Sequence, residues 1–320
     1  MYDVIIVGGG PAGAAAAIYA ARKKMKTLVI TENFGGQSVV SDSIENWIGD
    51  KKITGLELAK RLESHVKAQE GAEIKTPAKA MKVEKIESGF GANGASVPAW
   101  KVFTDQGDSY EALTLIVVSG GRRRRLSVPG EAKFEGKGIS YCATCDAPIF
   151  KNKIVAIIGG GNAGLEAAID LTRYAEKVYL VSNKPSLTGD PANLEVLMKS
   201  GKAEIINNAN VSEILGDQFV SGIRYLDKSG DNAKELKVDG IFVEIGSIPN
   251  SEFIKDLVET DERNRIVVDH RTGATSRPGI FAAGDVTDAL YNQNNISAGD
   301  AIKASLSAYY YLLNIKKQNK

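Results

Sequence analysis

The sequence predicts an α/β fold built around parallel sheets, and three observations carry that reading. Short apolar, β-branched runs at residues 4–7, 27–30, 154–158 and 178–181 alternate with helix-patterned segments, as buried parallel strands should. Glycine-rich turns follow the first and third of these runs. Runs at residues 82–87, 101–104 and 113–118 look like strands of a meander. The expected architecture is two Rossmann-like units in three layers, with a central parallel sheet plus a β-meander.

The first unit opens the chain. Gly8-Gly9-Gly10-Pro11-Ala12-Gly13 follows the strand at 4–7, an Ala-rich helix covers 14–22, and a strand at 27–30 closes the βαβ unit. Gly8, Gly10 and Gly13 stand at GxGxxG spacing, which lets a pyrophosphate approach the helix N-terminus. Strand before and helix after make this a dinucleotide motif and not an isolated turn. Thr31 and Glu32 end the second strand, where an acid can accept from a ribose hydroxyl or simply face solvent. Loop residues follow: Phe34-Gly35-Gly36-Gln37 and Ile44-Glu45-Asn46-Trp47. Their glycines allow close approach to a flat ring, and their amides suit its polar edge.

Residues 56–69 carry Leu56, Ala59, Leu62 and Val66 at helical spacing, and His65 belongs to that helix surface. The stretch 89–99 reads as a hairpin loop. Arg122, Arg123, Arg124 and Arg125 form a run of four. A solvated face is the favoured reading, and contact with phosphates or an acidic partner the alternative.

The second unit begins with Gly159-Gly160-Gly161-Asn162-Ala163-Gly164 after the strand at 154–158, then a helix at 165–174 and a strand at 178–181. A pair of such units is more specific than either copy, because hydride moves between two dinucleotides. Later, residues 279–283 form an apolar run ending in Gly284-Asp285, at a sheet edge where α/β ligands bind. Residues 298–313 read as a terminal helix whose Tyr309, Tyr310 and Tyr311 serve core or dimer packing and not a cofactor.

Both cysteines of the chain lie in Tyr141-Cys142-Ala143-Thr144-Cys145-Asp146. A CxxC pair closes a small disulfide ring, and one of its thiols can titrate near ~7. Structural zinc takes four Cys or His ligands, and two cysteines with two distant histidines do not supply them, so no metal is expected. Forty Lys and Arg against 39 Asp and Glu leave a net charge of +1, which gives no field to recruit nucleic acid or an acidic membrane. No apolar run reaches the ~18 residues that span a bilayer. The N-terminal residues read directly as a strand and not as a signal peptide, so a reducing, cytoplasmic setting is expected.

Taken together, Gly8–Gly13, Gly35-Gly36-Gln37, Glu45-Asn46-Trp47, Pro129-Gly130-Glu131, Cys142–Asp146, Gly159–Gly164, Gly279–Asp285 and Gln293 resemble the low-molecular-weight thioredoxin reductases. They equally resemble the reductase portion of the alkyl hydroperoxide reductase flavoprotein. The resemblance implies a flavoprotein with two dinucleotide-binding domains: an FAD domain from residues 1–118 and 247–320, and an inserted pyridine-nucleotide domain at 119–246. It implies a homodimer, and a rotation that presents the flavin alternately to nicotinamide and to the dithiol. FAD would be held by Gly8, Gly10, Pro11, Ala12, Gly13, Thr31, Glu32, Gly36, Gln37, Asn46, Gly284, Asp285, Gln293 and Asn294. Pyridine nucleotide would meet Gly159, Gly161, Asn162, Ala163, Gly164 and Ser182. By the same analogy Cys145 faces the flavin, Cys142 attacks a protein disulfide, and Asp146 supplies the proton.

The sequence departs from that pattern in two places. NADPH-using members carry arginines where this chain has Asn183 and Thr188, and only Lys184 remains as a cation. Charge-assisted hydrogen bonds contribute about 1.5–3 kcal/mol each, so NADPH is disfavoured and NADH is the better expectation. A ferredoxin donor, or a flavin redox sensor without rapid turnover, are the alternatives. After Asp146 the chain reads Ala147-Pro148-Ile149-Phe150, closer to the peroxide-reductase flavoprotein, but without thioredoxin-like domains ahead of the FAD unit. The expected acceptor is a separate thioredoxin-like or glutaredoxin-like protein disulfide.

Overall fold

The computed structural model describes residues 1–41, 43–88, 97–227 and 233–317, without side chains at 316 and 317. The predicted hairpin loop falls largely on 89–96, outside the described residues. The chain divides into two compact units, Met1–Arg122 with Ile248–Lys320, and Arg123–Ser247.

In the first unit a parallel sheet runs in the order Ala72–Lys75, Thr27–Ile30, Tyr2–Val7, Ser109–Val117, Ile280–Ala282. Its register sets Val4 beside both Thr27 and Thr114. The central strands are apolar at almost every position because both faces are covered. Helices Pro11–Arg22 and Asn294–Lys317 cover one face. They approach closely because Ala14, Ala17, Ala301, Ala304 and Ala308 meet there, all fully buried. The buried Ser305 hydroxyl donates to the Ala16 carbonyl at 3.2 Å, so its polar atom is satisfied within the contact. The meander strands Ala80–Ser88 and Val97–Thr104 form the third layer. Val83, Trp100 and Val102 pack there on the sheet residues Ile5, Leu28 and Leu115.

The second unit repeats the plan. Five parallel strands run in the order Ala203–Ile206, Lys177–Val181, Ile154–Ile158, Gly240–Val243, Ile139–Ser140. Helices Asn162–Thr172 and Pro191–Lys199 lie on one face, where Leu165, Leu171 and Leu197 are buried. An antiparallel sheet of Asn210–Gly216, Val220–Leu226 and Ala233–Lys237 covers the other through Ile214 and Ile223. The three-layer α/β class expected from the sequence is the one observed.

One local expectation changes. The terminal helix starts at Asn294 and ends at Lys317, longer at both ends than 298–313. Within it the Tyr311 ring meets Phe281 edge-on at 6.2 Å, and Lys23 lies over Tyr309, so these aromatics pack against the first unit's core. All four arginines are exposed, as a solvated run should be, and two of them also meet acids. Arg122 donates to Asn250 and Glu252 at 2.9 and 2.6 Å, and Arg125 forks onto Glu135 at 2.8 and 2.9 Å.

Candidate functional site

The first unit gathers its predicted residues at the C-terminal edge of the parallel sheet. Gly8 has φ +125°, and a Cβ on it would stand 2.3 Å from the Val118 carbonyl oxygen. A Cβ on Gly13 would meet the Gly8 oxygen at 2.0 Å. The two glycines are therefore required by the turn itself. Gly10 differs: a Cβ there would find nothing nearer than the Cα of Gly36 at 3.8 Å. The helix Pro11–Arg22 has Gly10 as its N-cap, no side-chain cap and no acid in its first turn. Its leading N–H groups, those of Ala12 and Gly13 among them, are thus open to an anion, with room left by the paired glycines.

Around this cradle the other predicted residues converge. Gly35 donates to the Gly9 oxygen at 2.9 Å, seating Gly36 against Gly10. The Gln37 side chain donates to the Gly121 carbonyl. Asn46 donates to Gln293 Oε1 at 3.1 Å, and Ser38 donates to Asn294 Oδ1 at 3.0 Å. Gly284, with φ +75°, brings its α-carbon close to Ser297 and Ala12, and Ser297 donates to Asp285 Oδ1 at 3.3 Å. Thr31 is buried and its hydroxyl donates to the Asn33 oxygen at 2.7 Å, whereas Glu32 is exposed and paired with Lys79 at 3.4 Å. Ser297 and Asn295, which donates to the Asn46 oxygen at 2.7 Å, are not foreseen from the sequence. They carry no motif of their own and matter only through distant partners.

The second unit holds the sulfur pair. Cys142 and Cys145 form a disulfide with 5.3 Å between their α-carbons. Cys142 is the N-cap of the one-turn helix Ala143–Asp146, and its sulfur accepts the Cys145 N–H at 3.2 Å. An N–H aimed at sulfur favours the thiolate there once the bond is opened. Ser140, at the end of the strand Ile139–Ser140, accepts the Cys142 N–H at 3.1 Å and donates to Asp146 Oδ2 at 2.6 Å. Burial pushes the Asp146 carboxyl above the usual carboxylate range, opposed by the Ser140 hydrogen bond and the Arg123 charge. Asp146 and the dithiol are thus joined through one serine, a link that no spacing rule announces.

On the other side Glu131, 3% exposed, accepts the N–H groups of Leu126 and Ser127 at 2.9 and 2.8 Å and the Tyr141 hydroxyl at 2.9 Å. Burial, then that hydrogen bond to Glu131, raises the Tyr141 pKa. The residue before Cys142 is held by a buried carboxylate.

The second glycine turn matches the first in construction. A Cβ on Gly159 would stand 2.2 Å from the Glu244 oxygen, and one on Gly164 would stand 1.9 Å from the Gly159 oxygen. Gly161 is the N-cap of Asn162–Thr172, again with no side-chain cap and no first-turn acid. A Cβ on it would meet only Thr188 Oγ1, at 3.9 Å. Asn162 and Ala163 are exposed, and Asn162 Oδ1 accepts the Asp190 N–H at 2.6 Å. Ser182, expected to offer a hydroxyl to a ribose, is 3% exposed with its oxygen accepting the Lys184 N–H at 3.1 Å. Strand register pairs Val7 with Ile30 and Ile158 with Val181, so Asn183 stands where Glu32 stands in the first unit. Asn183, Lys184 and Thr188 are exposed.

Among the described residues no group of three or more His, Cys, Asp or Glu is placed to hold a metal ion, and no helix is long and apolar enough to cross a membrane. His65 lies exposed on its helix. His270 pairs with Asp288 at 3.4 Å.

Two glycine-turn units, one carrying a redox-capable dithiol, define a dinucleotide-dependent disulfide oxidoreductase by architecture. The chain belongs to the pyridine nucleotide-disulphide oxidoreductase family, whose model matches residues 2–304. That family implies a flavin, FAD, and a pyridine nucleotide, and the glycine cradles fit both. Its fold is that of thioredoxin reductases: the Streptococcus pyogenes enzyme superposes with a TM-score of 0.88 at 32% identity, covering 98% of this chain and 99% of that one. The thioredoxin reductase of Giardia duodenalis gives 0.86 at 30%, with the same coverage. Among curated proteins, one of the alkyl hydroperoxide reductase subunits of Pseudomonas aeruginosa is 44% identical over 98% of this chain and 58% of its own length. A Bacillus subtilis protein named NADH dehydrogenase is 42% identical over 98% of this chain and 59% of its own. The chain thus spans about three-fifths of the length of these curated relatives.

Proposed function

We propose that this protein is an FAD-dependent protein-disulfide reductase. It would take electrons from NADH or NADPH, pass them through FAD to Cys142–Cys145, and reduce a thioredoxin-like or glutaredoxin-like disulfide. The observation that carries this reading is the Cys142–Cys145 disulfide, with Ser140 and a partly buried Asp146 hydrogen-bonded beside it. The family and the thioredoxin reductase fold support it.

Bound FAD supplies the two-electron exchange between a hydride donor and a disulfide. The first unit would hold it. The N–H groups behind Gly10 and Gly13 would meet the pyrophosphate, Glu32 a ribose hydroxyl, Asp285 the ribityl or phosphate region, and Gln293, with Asn46 nearby, the ring. Two electrons delivered to the disulfide break the S–S bond and leave two sulfurs that take up two protons in all. Asp146, kept partly protonated by burial, is placed to hand one of them over. Cys142, whose sulfur accepts the Cys145 N–H, is the sulfur that attacks a partner disulfide through a mixed disulfide.

A cytoplasmic homodimer completes the reading. Both cysteines being used in one dithiol supports a reducing compartment, and the exposed apolar Ile48, Leu290 and Tyr291 of the first unit support a second copy. A second reading rests on the loop after the second strand of the inserted unit, where Asn183 and Thr188 replace cations and the Ser182 hydroxyl accepts the Lys184 N–H. It assigns the electrons to a ferredoxin-like donor, or gives the flavin a sensing role.

One anaerobic titration decides among these. NADH, NADPH or a reduced ferredoxin is added to FAD-loaded protein and the flavin absorbance is followed. Rapid bleaching by a nucleotide, followed by reduction of a thioredoxin-like disulfide, is the expected result. Bleaching by ferredoxin alone names the other donor, and no bleaching by any of them leaves the sensor. Protein that stays colourless after reconstitution with FAD overturns the whole assignment.

A further inference from the structure

The strand Gly240–Val243 ends in a residue that no motif draws attention to. Glu244 donates its N–H to the Ile158 carbonyl at 2.8 Å, and its own carbonyl oxygen fills the space beside Gly159. Parallel register sets Phe242 beside Ser140, which brings Glu244, two residues on, level with Cys142, and the Ala143 N–H there favours its carboxylate. The main chain of Glu244 thus supports the glycine turn while its side chain belongs to the level of the dithiol turn.

The first unit shows that the fold does not ask for an acid here. There the corresponding residue is Val118, which donates to the Val7 carbonyl at 2.9 Å and sets its oxygen against Gly8, as Glu244 does against Gly159. Val118 is buried and apolar. The same backbone position therefore accepts a hydrocarbon, and in the unit with the dithiol it carries a carboxyl group.

We propose that Glu244 is a positioning residue of the dithiol: it holds the turn that carries Cys142 and, by its charge, sets how readily the reduced pair ionises. This rests on Cys142 and Cys145 being the working dithiol. The charged groups facing Glu244 are Arg123, which favours the carboxylate, and Glu166 on the helix Asn162–Thr172, which opposes it. Arg123 also faces Asp146, so the two acids that flank the dithiol share one cation. Burial is the largest influence and pushes Glu244 up to about 7. Neutral Glu244 leaves a Cys142 thiolate unopposed, whereas a Glu244 carboxylate at the same turn repels it and holds the proton on sulfur. The dithiol's nucleophilicity then responds to pH through a group other than the thiols.

The experiment reads the thiolate directly. FAD-loaded full-length protein is reduced with dithiothreitol, freed of reductant under anaerobic conditions, and alkylated with iodoacetamide from pH 5.5 to 9.5. Thiolate displaces iodide, so the rate follows thiolate fraction. Wild type is expected to show a broadened profile with an inflection near 7 besides that of the thiol. Glu244→Gln keeps an acceptor for Ala143 but no charge. It should show a single thiol inflection and react about 3–10-fold faster near pH 8, the effect of up to about one unit in thiol pKa. Glu244→Val, which copies Val118, should lose the inflection too and carries the test if the glutamine variant does not fold. Superimposable profiles for wild type and a folded, FAD-bound variant overturn the proposal. Failure of dithiothreitol to expose two alkylatable cysteines overturns the dithiol reading instead, and neither result depends on which donor reduces the flavin.

Discussion

Ser140 donates its hydroxyl to Asp146 at 2.6 Å and accepts the Cys142 N–H at 3.1 Å, so one side chain couples the proposed proton donor to the sulfur pair. Asp146→Asn cannot deliver a proton, and should slow dithiol turnover by about 10²-fold with FAD content unchanged. Ser140→Ala removes an influence that lowers the Asp146 pKa, while burial, which raises it, remains. The acid must be protonated to work, so activity falls as pH rises through its pKa. The alkaline limb of the Ser140→Ala profile should therefore lie at higher pH than that of wild type. Stopped-flow reduction of a model disulfide across pH checks both, and an unmoved limb removes Asp146 from the step.

Gly159 and Gly161 stand two residues apart and should fail in different ways. Gly159 has φ +139°, and an added Cβ would lie 2.2 Å from the Glu244 oxygen, so Gly159→Ala should cost about 3 kcal/mol or more and lower the melting temperature. An added Cβ on Gly161 would meet no atom within 3.4 Å, so Gly161→Ala should melt as wild type does. It should nonetheless raise KM for a pyridine nucleotide several-fold, because the methyl group occupies the approach to the helix N-terminus. Calorimetry paired with donor kinetics separates the two.

How much of this is legible in the sequence depends on the distance over which each feature is encoded. The glycine turns and the CxxC pair are local: their spacing alone fixes geometry, and the parallel sheets follow from uninterrupted apolar runs. The start of the terminal helix is not local. Asn294 and Asn295 precede the predicted start at 298, yet the helix begins at Asn294, where Ser38 donates to Asn294 and Asn295 donates to the Asn46 carbonyl from far along the chain. The four arginines are exposed, as their run suggests, but the partners Asn250 and Glu252 of Arg122 and Glu135 of Arg125 cannot be read from spacing. Glu244 escapes notice for the same reason: within an apolar run it resembles a solvated strand end, and only the fold brings Ala143 to it.

The exposed cluster Asn183, Lys184 and Thr188 predicts a gain of function. Asn183→Arg combined with Thr188→Arg supplies two cations near the strand end where Glu32 stands in the first unit. Each charge-assisted hydrogen bond to a 2′-phosphate contributes about 1.5–3 kcal/mol, so KM for NADPH should fall by at least ~10-fold while that for NADH changes little. Steady-state kinetics with both nucleotides provides the check. An unchanged NADPH constant would mean that the loop does not meet the adenosine end of the donor.

Glu131 and Tyr141 allow the support of the dithiol to be separated from its chemistry. Tyr141→Phe removes one hydroxyl, but Glu131 keeps the N–H groups of Leu126 and Ser127, so the loss should be only about 1 kcal/mol. Glu131→Ala leaves those two N–H groups and the Tyr141 hydroxyl without their acceptor. Each such buried donor costs about 1–3 kcal/mol, so the second variant should be several-fold more damaging to stability than the first. Neither residue carries a proton in the proposed step. In Tyr141→Phe the pH profile of dithiol alkylation should therefore keep its inflections, while the overall rate shifts as the turn before Cys142 loosens. A lost inflection in that variant would place Tyr141 within the proton-transfer chemistry, and denaturant unfolding of the two variants side by side supplies the stability comparison.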